Sequence, residues 1–124
     1  MKFEKDETLF NGRLKSIGFA LKGAIKLITT EHSIMLQSSL AVIIIIAGFY
    51  FGINRYEWMF QILAIGLVLG IEGLNTAVEK IADFVHPDFH ERIGFIKDIA
   101  AGAVFLAALT AITIGCIIYF PYLF

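Results

Sequence analysis

Residues 58–83 read WMFQILAIGLVLGIEGLNTAVEKIAD, so that a long apolar run passes directly into a charged segment. Apolar residues fill positions 59–71, apart from Gln61, and Glu72 follows immediately. A carboxylate in or near lipid costs about 2.5–3.5 kcal/mol on insertion scales, which predicts a functional role for Glu72. The polar residues after it recur three or four positions apart and therefore share one face of a helix. That polar face comprises Glu72, Asn75, Thr76, Glu79 and Asp83.

The rest of the chain is also rich in apolar residues, which make up 58% of its 124 positions and exceed the usual soluble fraction. Three apolar stretches, at about 34–51, 58–80 and 99–120, approach or exceed the roughly 20 residues that span a bilayer. Before them, residues 9–30 repeat apolar side chains at helical spacing, with lysines on another face. This pattern fits an ordinary packed helix equally well, but the three spans favour a helix at the membrane surface. We therefore predict one all-α membrane domain over residues 1–124, with a surface helix and three transmembrane helices, the last ending at Pro121.

Basic residues are distributed unevenly among the connections, and cytoplasmic segments usually carry the excess. This rule places the N-terminus and the second connection in the cytoplasm, together with the polar face. The net charge of −1 gives no reason to expect a nucleic-acid partner. The N-terminal segment holds Lys2, Lys5, Arg13, Lys15, Lys22 and Lys26, the second connection holds Lys80, Arg92 and Lys97, and the first connection holds only Arg55.

Small residues recur at helical spacing on the second and third spans, which predicts close helix packing within or between subunits. They are Gly66, Gly70, Gly73 and Ala77 on the second span, and Ala103, Ala107, Ala111 and Gly115 on the third.

The ionisable residues near the predicted cytoplasmic side indicate phosphoryl transfer. Glu31, Glu79, Asp83 and Asp98 could share a divalent ion, and Mg²⁺ suits carboxylates combined with substrate phosphates. Lys97 could contact a phosphate, and Glu72 could accept a proton from a hydroxyl. The sequence contains no glycine-rich phosphate loop, no His-Glu-x-x-His motif and no Cys/His metal cluster. In the alternative interpretation, the carboxylates only cap helices and pair with Lys80, Arg92 and Lys97.

Two further classes of function remain open from the residues alone. One is a small oligomeric transporter or channel, in which Glu72 is the intramembrane carboxylate. The other is a structural membrane adaptor without activity. The charges crowd one surface instead of the bilayer midplane, which favours an enzyme. His86 and His90 flank Pro87 in a connection, and ordering of that loop is their default role.

Several runs of residues give the chain a resemblance to a known family. They are EGLNTAVEKIAD at 72–83, HPDFH at 86–90, KDIAAGAV at 97–104, and FALKG at 19–23 with Glu31 before the first span. Together they resemble the small membrane-integral lipid kinases of bacteria, which comprise diacylglycerol kinase and undecaprenol kinase. The resemblance implies an ATP- and Mg²⁺-dependent kinase of the inner membrane. It also implies a homotrimeric bundle whose sites are shared between subunits.

The resemblance further implies a role for each matching position. Glu72 matches the catalytic base that activates the lipid hydroxyl, and Glu31 and Glu79 match carboxylates that hold magnesium at the ATP phosphates. Asn75 and Asp83 match supporting polar residues. The ATP-binding positions are Phe19, Glu31, Glu79, Asp88, Phe89, His90, Lys97 and Asp98.

Three positions depart from the family pattern and affect details of nucleotide and lipid binding. Phe19 stands where relatives often have tyrosine, Met35 where many carry arginine, and Gly12 where some have a basic residue. The HPDFH and KDIAAGAV runs look closer to the undecaprenol kinase branch, so we expect undecaprenol to be slightly favoured over diacylglycerol.

Overall fold

A computed structural model describes residues 9–124 of the chain. It contains four α-helices: α1 (Leu9–Thr30), α2 (His32–Phe51), α3 (Arg55–Val85) and α4 (Glu91–Leu123). No strand occurs among the described residues, so the predicted all-α class is confirmed. By length and composition, α2, α3 and α4 can each cross a membrane, which confirms the three predicted spans. The location of α1 at the membrane surface stays a prediction, and Lys2 and Lys5 lie outside the described residues.

The helices extend beyond the apolar stretches at several ends. Helix α3 begins at Arg55 and continues to Val85, and α4 begins at Glu91, within the segment expected to be a polar connection. The prediction that Pro121 ends the last helix is wrong, because α4 continues to Leu123. The Phe124 backbone N–H donates to the Phe120 carbonyl oxygen at 2.9 Å, which closes the last turn around the proline.

A tight turn joins α2 to α3. Gly52 has φ +62°, a left-handed conformation that glycine adopts without steric cost, and ends α2. Asn54 then begins α3 through a capping box. Its side chain accepts from the Glu57 backbone N–H, and the Glu57 carboxylate accepts from the Asn54 backbone N–H, both at 2.9 Å. These paired bonds satisfy donors at the helix start and set the direction of α3.

Helices α3 and α4 lie antiparallel, and polar contacts join them at both ends. At one end the Tyr122 hydroxyl donates to Glu57 Oε1 at 2.7 Å. At the other, Lys97 Nζ lies 2.5 Å from Asp83 Oδ1. Helix α2 packs on α3 near their connecting turn, where a Cβ at Gly48 would lie only 2.8 Å from the Trp58 ring. Because no side chain fits at this position, the two helices can approach closely.

The small-residue ladder of α3 is largely unused within one chain. A Cβ built at Gly66 or Gly70 would meet no atom within 4 Å, whereas one at Gly73 would lie 3.2 Å from Leu27. On α4, Ala107 is buried, and Gly115 again has open space beside it. Within the described chain, close packing therefore involves only part of each predicted ladder.

Candidate active site

Glu31 lies between α1 and α2 and contacts α3 through an ion pair. It occupies the N-cap position of α2 with an extended backbone, yet its side chain makes no capping hydrogen bond. Instead, Glu31 Oε1 lies 3.1 Å from Lys80 Nζ. Lys80 directly follows Glu79 in α3, so the ion pair brings the Glu31 carboxylate to the turn that carries Glu79. Two of the predicted site residues, far apart in sequence, are thus placed at the same turn of α3.

Asn75 and Glu79 are joined along the same helix. Asn75 Nδ2 donates to Glu79 Oε1 at 3.2 Å, the contact expected for side chains four positions apart. Asn75 Oδ1 is buried and has no hydrogen-bond partner among the described residues. A buried acceptor without a partner is costly, so a donor that reached this oxygen would stabilise the site. Asn75 therefore orients Glu79 and offers one further polar contact.

Glu72 is the most enclosed carboxylate of the set, with 7% of the residue exposed. It shares a buried face with Val68 and Thr76, one turn before and one turn after it. The Thr76 hydroxyl donates to the Glu72 backbone carbonyl at 3.1 Å and leaves the carboxylate unengaged. Across residues 9–124, no basic side chain forms an ion pair with Glu72. Such a carboxylate in an apolar setting is suited to accept a proton.

Asp83 and Lys97 form the other ion pair at this end of the molecule. Asp98 follows Lys97 on α4 and is exposed. The alternative interpretation was that the carboxylates only cap helices and pair with basic residues. It holds in part, because Glu31 and Asp83 each pair with a lysine of the same chain. Glu72 has no such partner among residues 9–124.

The loop between α3 and α4 is ordered by its two histidines. His86 Nδ1 lies 2.6 Å from the Asp88 carbonyl oxygen, and His90 Nδ1 accepts from the Arg92 backbone N–H at 3.1 Å as the N-cap of α4. Their rings are 5.1 Å apart. These contacts fit the loop-ordering role, and they leave Asp88 and Phe89 exposed.

The placement of the acidic side chains bears on whether this end of the molecule can hold a metal ion. In the described part of the chain, no group of three or more His, Cys, Asp or Glu side chains is placed to hold one. The expectation that Glu31, Glu79, Asp83 and Asp98 share an ion is therefore not met within a single chain. Mg²⁺ is, however, often held by only one or two carboxylates plus substrate phosphates. Glu31 and Glu79, which lie at the same turn of α3, match that smaller donor set in number and chemistry.

The three positions expected to depart from the family pattern lie on α1 and α2. Phe19 is exposed and precedes Glu31 by twelve residues, about 18 Å along a helix, so one chain does not place it beside that carboxylate. Met35 is exposed on α2, and Gly12 is buried on α1.

Sequence reasoning missed Lys80 as a site residue and considered it only as a possible ion-pair partner. Its position directly after Glu79 was the available signal. It also missed the Gln61 side chain, whose Oε1 lies 2.5 Å from the Tyr119 hydroxyl at the far end of the spans. The interruption of an apolar run by a lone glutamine was the signal there.

The fold and the site together define an α-helical membrane protein with ionisable groups gathered at one end of its spans. The family model for prokaryotic diacylglycerol kinase matches residues 18–119, and the chain belongs to that family. It is therefore a lipid kinase, which confirms the resemblance and removes the transporter and adaptor alternatives.

Individual relatives match over nearly their whole length. The chain is similar to an undecaprenol kinase of Bacillus subtilis (strain 168), at 34% identity over 90% of each chain. It is also similar to a diacylglycerol kinase of Haemophilus influenzae, at 31% identity over 86% of this chain and 92% of the relative. A diacylglycerol kinase of Escherichia coli (strain K12) is 24% identical over 90% of this chain and 91% of its own.

Proposed function

We propose that the chain transfers the γ-phosphate of ATP to the hydroxyl of a membrane lipid alcohol, diacylglycerol or undecaprenol, in a Mg²⁺-dependent reaction. The observation that carries this proposal is the Glu72 carboxylate, buried without a basic partner among residues 9–124, on the helix that also carries Asn75 and Glu79. The reaction takes place at the cytoplasmic face of the inner membrane, in keeping with the bias of basic residues.

Glu72 acts as the general base. The lipid hydroxyl oxygen forms a bond to the γ-phosphorus while the bond from that phosphorus to the ADP oxygen breaks. The hydroxyl proton passes to the Glu72 carboxylate. General bases contribute about 10²–10⁴-fold to such reactions, and a water-poor setting keeps the base from unproductive proton exchange. The apolar neighbours of Glu72 support this role.

Glu31 and Glu79 hold the metal, which when bound neutralises charge on the phosphates. Lys97, now paired with Asp83, supplies a cation for the phosphates, and Asp98 beside it contacts the ribose. The loop residues Asp88, Phe89 and His90 border the adenosine, with Phe19 as a further nucleotide contact. These assignments rest on the family pattern and on the shared location of the ion pairs.

The lipid tail has a suitable place beside the base. An apolar cavity of about 250 Å³ lies between α2, α3 and α4, and Val68 and Leu69 in its lining precede Glu72 by one turn. A hydrocarbon chain in this cavity would place its headgroup hydroxyl near the carboxylate. Because the lining is almost entirely apolar, it distinguishes tail shapes only weakly, by about 1–3 kcal/mol for a methylene-scale misfit. Both lipids are therefore accepted, with undecaprenol slightly favoured, as the similarity to an undecaprenol kinase supports.

The enzyme works as a homotrimer whose sites combine residues of two subunits. Asp83, which pairs with Lys97, follows Glu72 by eleven residues, about 16 Å along the helix. Within one chain, the proposed base Glu72 and the phosphate-binding Lys97 are therefore far apart. The open space beside Gly66 and Gly70 offers a surface for another copy of α3. These two observations support the shared site.

The test is ATP consumption by purified protein in micelles, with and without each lipid alcohol. We expect ADP release only with a lipid alcohol and Mg²⁺, together with labelled phosphate on the lipid. The Glu72→Gln variant, purified identically, controls for contaminating kinases. ATP consumption that neither lipid stimulates would contradict the proposed reaction.

A further inference from the structure

Lys80 is an ionisable residue at this end of the molecule to which the reaction above assigns no role. Its Nζ atom lies 3.1 Å from Glu31 Oε1, and its side chain is 68% exposed, against 28% for Glu31. The lysine is therefore the more exposed member of the pair, and the carboxylate is half-buried.

The Glu31 side chain does not cap the helix that it precedes. Short side chains such as those of Asp, Asn, Ser and Thr at the N-cap accept a hydrogen bond from the first turn of their helix. Glu31 makes no such bond, and its carboxylate points to Lys80 on α3 instead. The lysine has a long, flexible stem and a compact charge, so it can leave the carboxylate without a change in the backbone.

We infer that Lys80 is a positioning residue that occupies the cation position beside Glu31 in the metal-free chain and gives it up when the metal–nucleotide complex binds. This inference rests on the proposed role of Glu31 as a metal ligand. A divalent cation and an ammonium group compete for the same oxygen, so Lys80 raises the metal concentration that Glu31 requires. In return, it holds Glu31 at the turn of α3 that carries Glu79, and its positive charge offsets the negative charge of the two carboxylates.

The competition also couples metal uptake to the nucleotide. A metal ion alone must displace the ammonium group and leave it without a partner at Glu31. A metal–nucleotide complex brings phosphate oxygens to the same place, and these accept the displaced ammonium. Lys80 therefore favours entry of the metal together with the nucleotide over entry of the metal alone.

The experiment is a Mn²⁺ titration of the purified full-length protein in micelles, followed by the electron paramagnetic resonance signal of free Mn²⁺. It is carried out with Mn²⁺ alone and with a non-hydrolysable ATP analogue. The variants are Lys80→Met, Lys80→Arg and Glu31→Gln. Arg55→Met is the matched control, because it removes one positive charge at the opposite end of the same helix. Thermal unfolding of each variant is measured in parallel.

We expect Lys80→Met to lower the half-saturating concentration of Mn²⁺ alone by about two- to fivefold, the range that partly exposed ion pairs usually contribute. Lys80→Arg should keep the half-saturating Mn²⁺ concentration of the parent, since the guanidinium group also pairs with a carboxylate. Arg55→Met should match the parent as well. If Lys80 only joins α3 to the α1–α2 junction, Lys80→Met will lower the unfolding temperature and leave Mn²⁺ uptake unchanged, which overturns the inference.

Glu31→Gln separates this inference from the proposed function. Weaker Mn²⁺ uptake in Glu31→Gln with no gain in Lys80→Met would overturn the role of Lys80 and leave the metal ligand in place. Equal uptake in Glu31→Gln and the parent, or none in the parent under either condition, would remove the metal site at Glu31 and the role of Lys80 with it.

Discussion

The Tyr119 hydroxyl of α4 lies 2.5 Å from Gln61 Oε1 of α3 and 3.1 Å from the Ile44 carbonyl oxygen of α2. One phenol thus connects all three candidate membrane spans. Gln61 and Tyr119 are both buried, with 3% and 8% of each residue exposed. Polar groups in this setting need partners inside the protein, so the contact fixes how the three helices lie against one another.

We predict that Tyr119→Phe lowers the free energy of unfolding by about 0.5–2 kcal/mol, in line with interhelical hydrogen bonds in membranes. The variant leaves Gln61 without its phenol partner. Tyr122→Phe is the matched control, because Tyr122 also bonds across α3 and α4, to Glu57, but is more exposed. Tyr122→Phe should lower the free energy of unfolding by a smaller amount. Unfolding in micelles measures both, and equal stability of Tyr119→Phe and the parent would contradict the prediction.

We predict that Glu72→Gln reduces lipid phosphorylation by at least about 10²-fold, because the amide cannot accept the hydroxyl proton. The side chain keeps its size, so folding and nucleotide binding should remain near normal. Glu57→Gln is the matched control, since it alters a glutamate of the same helix at the opposite end. Phosphorylated lipid formed per minute is the measurement. Near-normal turnover of Glu72→Gln would remove this residue from the mechanism.

We predict that Glu31→Ala and Glu79→Ala each raise the Mg²⁺ concentration needed for half-maximal activity. Each change removes a hard oxygen ligand from a site that offers few of them. Glu91→Ala is the control, because Glu91 is an exposed glutamate in the first turn of α4. Activity is titrated with Mg²⁺ at saturating ATP. An unchanged metal dependence in both variants would show that the ligands are assigned wrongly.

The spans could be predicted from the sequence because their physical requirement is simple. A bilayer demands about 20 apolar residues, and three stretches meet that length. The helix ends could not be predicted in this way, since a helix continues beyond the apolar part wherever charged residues and caps allow it. Helix α4 begins at Glu91, because His90 caps it, and its first turns contain Lys97 and Asp98.

In the candidate site, a contact within one helix could be predicted from the sequence, whereas a contact between distant segments could not. The hydrogen bond from Asn75 to Glu79 follows from helical spacing and was contained in the predicted polar face. The ion pair of Glu31 with Lys80 depends on how the α1–α2 junction meets α3. From the sequence alone, several acidic side chains could pair with Lys80. The packing of the helices determines that Glu31 does.

We predict that mixing inactive Glu72→Gln chains with inactive Lys97→Met chains restores part of the activity. If a site takes its base from one subunit and its phosphate ligand from another, some mixed trimers contain one intact site. Chains are co-expressed with different tags and purified over both, so that co-assembly is established. Either variant mixed with itself is the control. Complete inactivity of the confirmed mixtures would argue for sites within one chain.

We predict that the enzyme accepts both lipids and favours undecaprenol slightly. A diacylglycerol headgroup presents ester carbonyls that need donors, whereas a polyprenol presents only its hydroxyl. Met35, exposed on α2, offers no such donor. The comparison is kcat/KM for the two lipids in identical micelles. A tenfold or greater preference for diacylglycerol, about 1.4 kcal/mol in the transition state, would contradict the prediction.

The same reasoning predicts that Met35→Arg shifts the ratio of kcat/KM toward diacylglycerol. The guanidinium group supplies donors for ester oxygens and gives a polyprenol nothing further to bind, so the gain should be specific to one substrate. Met35→Leu is the control, because it keeps an apolar side chain of similar volume and should leave the ratio unchanged. If Met35→Arg changes both substrates equally, then residue 35 acts on folding or on the nucleotide, and lipid preference must be determined by the apolar lining around Val68 and Leu69.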